Sequence, residues 1–393
     1  VRNLIVGSIF GLVCGAVFGA TLIGPQLVDQ IPGFAEKPVN INQFAQPGFV
    51  AKQRRSAPLK ATKTPTDAEP TRASIEWRMA SAFGSTLPQT GELPKRIEKQ
   101  ILRISDGQLK IVFHEPGTLV APDQMFDAVR SGTIEAAFGS PATWASKTPA
   151  LALFASTPFG PAAEEFLAWF YFSGGQKIYQ DIYRKQGIHS LICGVAAPEA
   201  SGWFKQKIDV PDDLNGLRMR ISGLGAKVMA KMGSETHAIS DGDVIVALES
   251  GALDAVEFSQ PVIDLSLGLH KRANHYYFPG WHQPTTLFEL IINLDVWEEL
   301  KQAHRWQIIN LCGDNVRYSI AQSEAAQFQA LKELVNQNVN IETWPVDVLD
   351  ELRSAWGEVV REETQNDKDF RRVWTSLSQF RDEYSIWREL SRP

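Results

Sequence analysis

The sequence predicts an α/β protein built as two lobes with a ligand cleft between them and a long helical region at the C-terminus. Three observations carry this. Strand and helix patterns alternate from Ile75 onward. One helix–turn–strand unit recurs 119 residues later. The chain, at 393 residues, exceeds one typical hydrophobic core.

The alternation begins only after a long N-terminal stretch. Residues 4–24, LIVGSIFGLVCGAVFGATLIG, carry no charge and follow Arg2. Residues 1–26 therefore read as an export signal or an uncleaved membrane anchor. At 1.5 Å per residue the apolar run could just span a bilayer core of about 30 Å, and it is longer than a usual signal-peptide apolar region. Cys14 follows Val13 rather than a small residue, which argues against lipidation. The basic start favours an N-in orientation, placing the rest of the chain outside the cytoplasmic membrane. Residues 27–74 hold Pro32, Pro38, Pro47, Pro58, Pro65 and Pro70 with interspersed charges. Such a segment cannot bury a core and reads as a flexible linker.

From Ile75 the elements come in order. IEWRMASAF is a strand, LPKRIEKQILRIS a helix with one apolar stripe, and QLKIVFHE a second strand. Residues 127–140, DAVRSGTIEAAFGS, then find their echo in residues 246–259, VALESGALDAVEFS. In each, Ser-Gly ends a helix, the glycine being free to take a left-handed C-cap, and a short buried strand follows. Ligands of open α/β sheets sit beyond the carboxyl ends of strands. Phe138, Gly139 and Ser140 would thus face Glu257, Phe258 and Ser259 across a cleft, with residues 75–345 making both lobes. Residues 316–337 read as a long helix leading into the strand VNIETW, and Pro345 opens a helical region that continues to residue 390. Phe370, Trp374, Leu377, Phe380, Tyr384 and Trp387 fall at helical spacing within it, so 346–393 is a packed helical appendage or a dimerisation element.

A formal net charge of −6 gives no reason to expect nucleic acid, whose binding relies on clustered Lys and Arg. Three cysteines, Cys14, Cys193 and Cys312, are too few and too scattered for a disulfide framework or a CxxC zinc site. Glu199, Glu257 and His282 could in principle serve as acid–base groups. No nucleophile elbow, HExxH or phosphate-cradling loop accompanies them, so an enzyme is not expected. In GLRMRISGLGAKVMAKMG, residues 216–233, Arg218 and Arg220 stand two apart on a strand and face the same way, so alternation cannot separate them.

Several stretches resemble a known family. They are SIEWRMASAF, FHEPGTLVAPDQMFDAVRSGTIEAAFGS, GWFKQKI, LNGLRMRISGLGAKVMAKMG, LESGALDAVEFSQPVIDLSLGLHKRANHYYFPGWHQP and LFELIINLDVWEEL. Together they look like the extracytoplasmic solute-binding subunit of a TRAP (tripartite ATP-independent periplasmic) transporter, in the branch that binds 2-oxo acids and related monocarboxylates. The resemblance implies a clamshell of the periplasmic-binding-protein kind that closes on a small organic acid. It also implies delivery of that acid to small and large integral-membrane permease subunits, and a homodimer formed through the C-terminal helix. A membrane-tethered sensor of the same ligand, without a transport role, is the alternative.

The resemblance also separates the arginines. It assigns the substrate carboxylate to Arg220 and leaves Arg218 as a flank contact. It makes Glu257 a ligand of a sodium or calcium ion that bridges protein and substrate, with the carbonyl of Phe258 standing where the branch commonly has tryptophan. Two further positions depart from the pattern: Glu199 stands where glutamine is usual and Gln283 where glutamate is usual. With both reaching the ion, the swap keeps two carboxylates and one amide but exchanges which wall carries the charge. Trp144 is expected to line the pocket, although Pro141 and Ala142 occupy the positions of the usual tyrosines. Trp203 and Trp281 are expected to serve packing, and His282 to be a satisfied histidine beside the cleft.

Overall fold

The computed structural model describes residues 75–239 and 242–391. The expected signal or anchor (1–26) and linker (27–74) lie outside them. Among the described residues no helix is long and apolar enough to cross a membrane.

Two sheets organise the chain. The first joins β1 (Ile75–Ser81), β2 (Leu109–His114), β3 (Ala136–Gly139), β4 (Ile188–Ala196) and, from much later in the sequence, β10 (Thr286–Asn293), in the order β2-β1-β3-β10-β4. Its first three strands are parallel, and β10 runs antiparallel to both of its neighbours. The second sheet holds β5 (Gly202–Phe204), β6 (Arg218–Arg220), β7 (Glu235–His237), β8 (Ala255–Val256), β9 (His275–Phe278) and β11 (Asn340–Thr343), in the order β11-β9-β5-β8-β6-β7.

The echoed units take equivalent places in the two sheets. Helix Met125–Arg130 ends before Gly132 at φ 73°, and helix Val244–Ser250 ends on Gly251 at φ 76°. Each left-handed glycine turns the chain into its strand, β3 in one sheet and β8 in the other, as the Ser-Gly pattern predicts. The second strand keeps only Ala255 and Val256 in ladder pairing, which puts Glu257 at its carboxyl end, still bonded to β6 through its N–H.

Three segments lead from strands of one sheet to strands of the other: residues 197–201, residues 279–285, and the helix Gln302–Asn336. The first two run against each other, Glu199 N–H donating to the Gln283 carbonyl at 3.1 Å. Only glycine allows this approach, since a Cβ on Gly280 would stand 2.1 Å from the Glu199 carbonyl oxygen. The helix starts well before the predicted residue 316 because its apolar face continues upstream through Ile308, Leu311 and Cys312. Its Ser319 and Ser323 hydroxyls accept from Val195 and Ala197 N–H, each at 2.8 Å, which continues hydrogen bonding past the end of β4. Further on, Gln327 accepts from Val262 N–H of the second lobe at 3.1 Å.

The C-terminal helices also touch both lobes. Val346–Asn366 lies on helix Gly223–Lys231 through Lys227–Glu363 and Lys231–Glu362 pairs. Lys368–Ser391 returns to the first lobe, with Phe370, Val373 and Leu377 fully buried and Arg372 paired to Asp181. The aromatic stripe divides accordingly: its early members pack at home, while Ile386, Trp387 and Leu390 are exposed.

The cysteine reading is corrected in one respect. Cys193 on β4 and Cys312 on the long helix form a disulfide across a sequence separation of 119. The distance along the chain concealed a pair that β4 and the helix bring together. Closing so long a loop should stabilise by roughly 2–5 kcal/mol. The Cys193→Ala/Cys312→Ala double variant should therefore unfold at a lower denaturant midpoint, with a steeper slope because its unfolded chain is no longer cross-linked; an unchanged midpoint would contradict a stabilising role.

Candidate functional site

A cavity of about 390 Å³ lies between the sheets. Ser140 and Ser259, the matched last residues of the two echoed units, both line it, so the repeat does mark the two walls.

The symmetry of the two arginines ends in the second sheet. Arg218, at the start of β6, spends its guanidinium on Asp254: Nε donates to Oδ2 at 2.8 Å and Nη2 to Oδ1 at 2.7 Å. Arg220, at the carboxyl end of the strand, lines the cavity. Its Nη1 donates to the Glu257 carbonyl at 2.5 Å and stands 3.4 Å from Glu257 Oε2. Its guanidinium carbon lies 5.0 Å from the centroid of the Phe258 ring, a cation–π arrangement that fixes the side chain from below.

Around this arginine three buried groups converge. One ligand atom each from Glu199, Glu257 and His282 lie within 4.8 Å of one another. Glu199 Oε1 accepts from Thr286 Oγ1 at 2.9 Å, while its Oε2 has no protein partner. His282 Nε2 is 3.5 Å from Glu257 Oε1, and neither ring nitrogen makes a hydrogen bond. Burial and the charge of Glu257 push the Glu199 carboxyl well above its ordinary range. Burial also pushes Glu257 upward, but His282 and Arg220 outweigh it and hold that carboxyl below its ordinary value. Two neighbouring carboxylates thus have opposite proton affinities.

Gln283 and Phe258 also reach the cavity. Gln283 Nε2 donates to Thr286 Oγ1 at 3.0 Å, so amide, hydroxyl and Glu199 carboxylate form one chain. Glu199 and Gln283 do not occupy opposing walls, as the swap suggested, but adjacent positions on the two inter-lobe crossings. Exchanging acid for amide therefore moves the charge between neighbouring strands of the hinge. His282 differs too, being buried but unsatisfied. Thr286 escaped the sequence reading, as a hydroxyl at the start of a strand carries no distinctive pattern.

This oxygen-rich pocket between two lobes can be set beside known proteins. The model of DctP, bacterial extracellular solute-binding protein family 7, matches residues 79–367. The chain belongs to this family. A monocarboxylate 2-oxoacid-binding periplasmic protein of Nostoc sp. (strain PCC 7120) is 30% identical over 318 residues, 81% of this chain and 87% of that protein. A TRAP transporter solute-binding protein from Bordetella bronchiseptica RB50, with calcium and picolinate in its active site, superposes with a TM-score of 0.78 at 28% identity, covering 81% of this chain and 95% of that one. One from Pseudoalteromonas atlantica T6c, with bound sodium and pyruvate, gives a TM-score of 0.75 at 29% identity, covering 80% and 96%.

In this solute-binding protein Trp144 does not line the cavity. It is buried in the first lobe, where Nε1 donates to Tyr183 Oη at 2.9 Å and to Glu289 Oε1 at 2.8 Å. Its neighbours Ala142 and Thr143 face the cavity instead. The tight Pro141–Trp144 turn, capped by Ser140, points the indole inward. Glu289, fully buried on β10, also accepts from Ser190 Oγ at 2.8 Å and from the Tyr179 and Tyr183 hydroxyls. This carboxylate ties the cavity-bearing turn to β4 and to helix Gly175–Arg184. Sequence reading missed it because a single Glu in LFELIIN gives no sign of its donors.

Burial outweighs those donors and raises the Glu289 carboxyl to about 7. A carboxyl raised in the folded state binds its proton more tightly there than when unfolded, so stability falls as pH rises. The window runs from the ordinary value near 4.5 to about 7, and the loss is on the order of 2–3 kcal/mol. Denaturant unfolding across this window should show a shallower decline in Glu289→Gln than in the parent protein. Parallel declines would contradict the assignment.

Proposed function

We propose that this chain binds a small monocarboxylate of the 2-oxo acid kind together with a sodium or calcium ion. It acts outside the cytoplasmic membrane and delivers the acid to the small and large permease subunits of a TRAP transporter. The observation that carries this reading is a cluster of buried carboxyl oxygens around Arg220, one of them without a partner. Two buried carboxylates, Glu199 and Glu257, share the cavity with Arg220. An incoming carboxylate adds a further negative charge, and leaving a buried charge uncompensated costs about 3–5 kcal/mol. A cation resolves this, and a hard one suits the oxygens offered there.

In this reading Glu257, Glu199, the Phe258 carbonyl and the Gln283 amide oxygen hold the ion. The unpartnered Glu199 Oε2 fits that role. Arg220 takes the substrate carboxylate with two parallel charge-assisted donors. The ion bridges protein and substrate, and the lobes close through the two crossings and the long helix. The Cys193–Cys312 disulfide suits an oxidising compartment such as the periplasm. Trp387 and Leu390, exposed at the end of the last helix, suit a homodimer contact. Relatives that bind calcium or sodium beside picolinate or pyruvate support the same arrangement.

Losing one of two charge-assisted bonds, each about 1.5–3 kcal/mol, should weaken binding roughly 10- to 100-fold. Titration calorimetry with a 2-oxo acid in calcium buffer should show that loss for Arg220→Lys and almost none for Arg218→Lys, whose partner is Asp254. Equal losses from both substitutions would remove Arg220 from the carboxylate.

A further inference from the structure

The first crossing is strapped to the second lobe at two points, one on each side of Glu199. Ala200 N–H donates to the Ser259 carbonyl at 3.3 Å. Gln260 Nε2 donates to the Ala197 carbonyl at 2.6 Å. Ser259 and Gln260 directly follow Glu257 and Phe258. The segment that carries two of the proposed ion ligands therefore also holds the crossing that bears a third.

The Gln260 side chain is buried, with 1% of its surface exposed. It stands at the N-cap position of helix Pro261–Leu267 but makes no capping hydrogen bond, and glutamine is not among the residues that cap well. Its amide is spent on the crossing instead. The long helix fixes which way that amide faces. Gln327 Oε1 accepts from Val262 N–H at 3.1 Å, which leaves Gln327 Nε2 to donate to the Ser323 carbonyl at 2.7 Å and to Gln260 Oε1 at 3.3 Å. With its oxygen so engaged, Gln260 presents its nitrogen to Ala197. Ser323 Oγ meanwhile accepts from Ala197 N–H at 2.8 Å. One residue of the crossing is thus gripped on its N–H by the long helix and on its carbonyl by the segment after Glu257.

We propose that Gln260 is a positioning residue for the cation: by strapping the first crossing to the segment of Glu257 and Phe258, it sets how closely the Glu199 and Glu257 carboxyls approach. The proposal rests on the cation–carboxylate reading above and places control of the ion in an amide outside its ligand set. An ion gains from both carboxyls only when their backbones present them together. A tie made before the ion arrives lowers the cost of ordering them. Losing the amide leaves the buried Ala197 carbonyl without this donor and frees the crossing to shift.

The test is calorimetry of pyruvate binding to the full chain across a range of calcium concentrations, in the unaltered protein, Gln260→Met and Gln327→Met. Methionine is unbranched and close to glutamine in volume but offers no amide. In Gln260→Met the calcium midpoint for pyruvate binding should rise about tenfold, the loss expected for one intramolecular hydrogen bond. Gln327→Met should move it the same way by a smaller factor, and it carries the test if Gln260→Met fails to fold. A purely structural role would weaken pyruvate binding by one factor at every calcium concentration, and that result would overturn the proposal. An unmoved calcium midpoint in both variants would do the same while leaving the cation reading intact. Pyruvate binding that ignores calcium in the unaltered protein, or no binding at all, would remove the cation–carboxylate reading and the strap with it.

Discussion

Two carboxylates buried beside one guanidinium set the terms for the rest of this structure. Glu199 and Glu257 are desolvated and close together, with Arg220 and His282 beside them. Such a cluster is costly unless something positive joins it or a proton neutralises one member. The opposite displacements of the two carboxyls express this in the ligand-free protein: Glu257 is held ionised by His282 and Arg220, and Glu199 is pushed towards its neutral form. A cation entering with the anion, as proposed above, would supply positive charge to this cluster.

The fold delivers these groups from separate places. Arg220 and Glu257 lie at the carboxyl ends of adjacent parallel strands in the second sheet, where Glu257 N–H donates to the Arg220 carbonyl at 2.8 Å. Glu199 and Gln283 ride on the two crossings, held together through a backbone contact that only Gly280 permits. Any rotation of one lobe against the other must bend these crossings, so closure and the geometry of the acid–amide pair are mechanically linked. The long helix contacts both lobes, while of the two C-terminal helices Val346–Asn366 packs on the second lobe and Lys368–Ser391 on the first.

Much of this was legible in the sequence, for identifiable reasons. The Ser-Gly echo exposed the paired units because a left-handed C-cap and a buried strand both leave strong local patterns, and it located Ser140 and Ser259 on facing walls. Arg220 and Arg218 could not be told apart by alternation, since both project to one side of β6. Their difference lies in Asp254, a partner distant in sequence. Trp144 was misplaced because a tight turn reverses its direction, and Glu289 was invisible because its donors come from three different elements. His282 and the Cys193–Cys312 pair were misjudged for the same reason: their state depends on what tertiary packing brings, or fails to bring, within reach.

The central claim is that ligand and cation bind together because the buried carboxylates require it. Calorimetric titration of a 2-oxo acid into metal-stripped protein, with and without added calcium or sodium, tests this directly, with Glu257→Gln as the companion. Binding should be strong only with the cation, and that dependence should largely vanish in Glu257→Gln. Equal affinity for the acid with and without either ion in the unaltered protein would contradict the account.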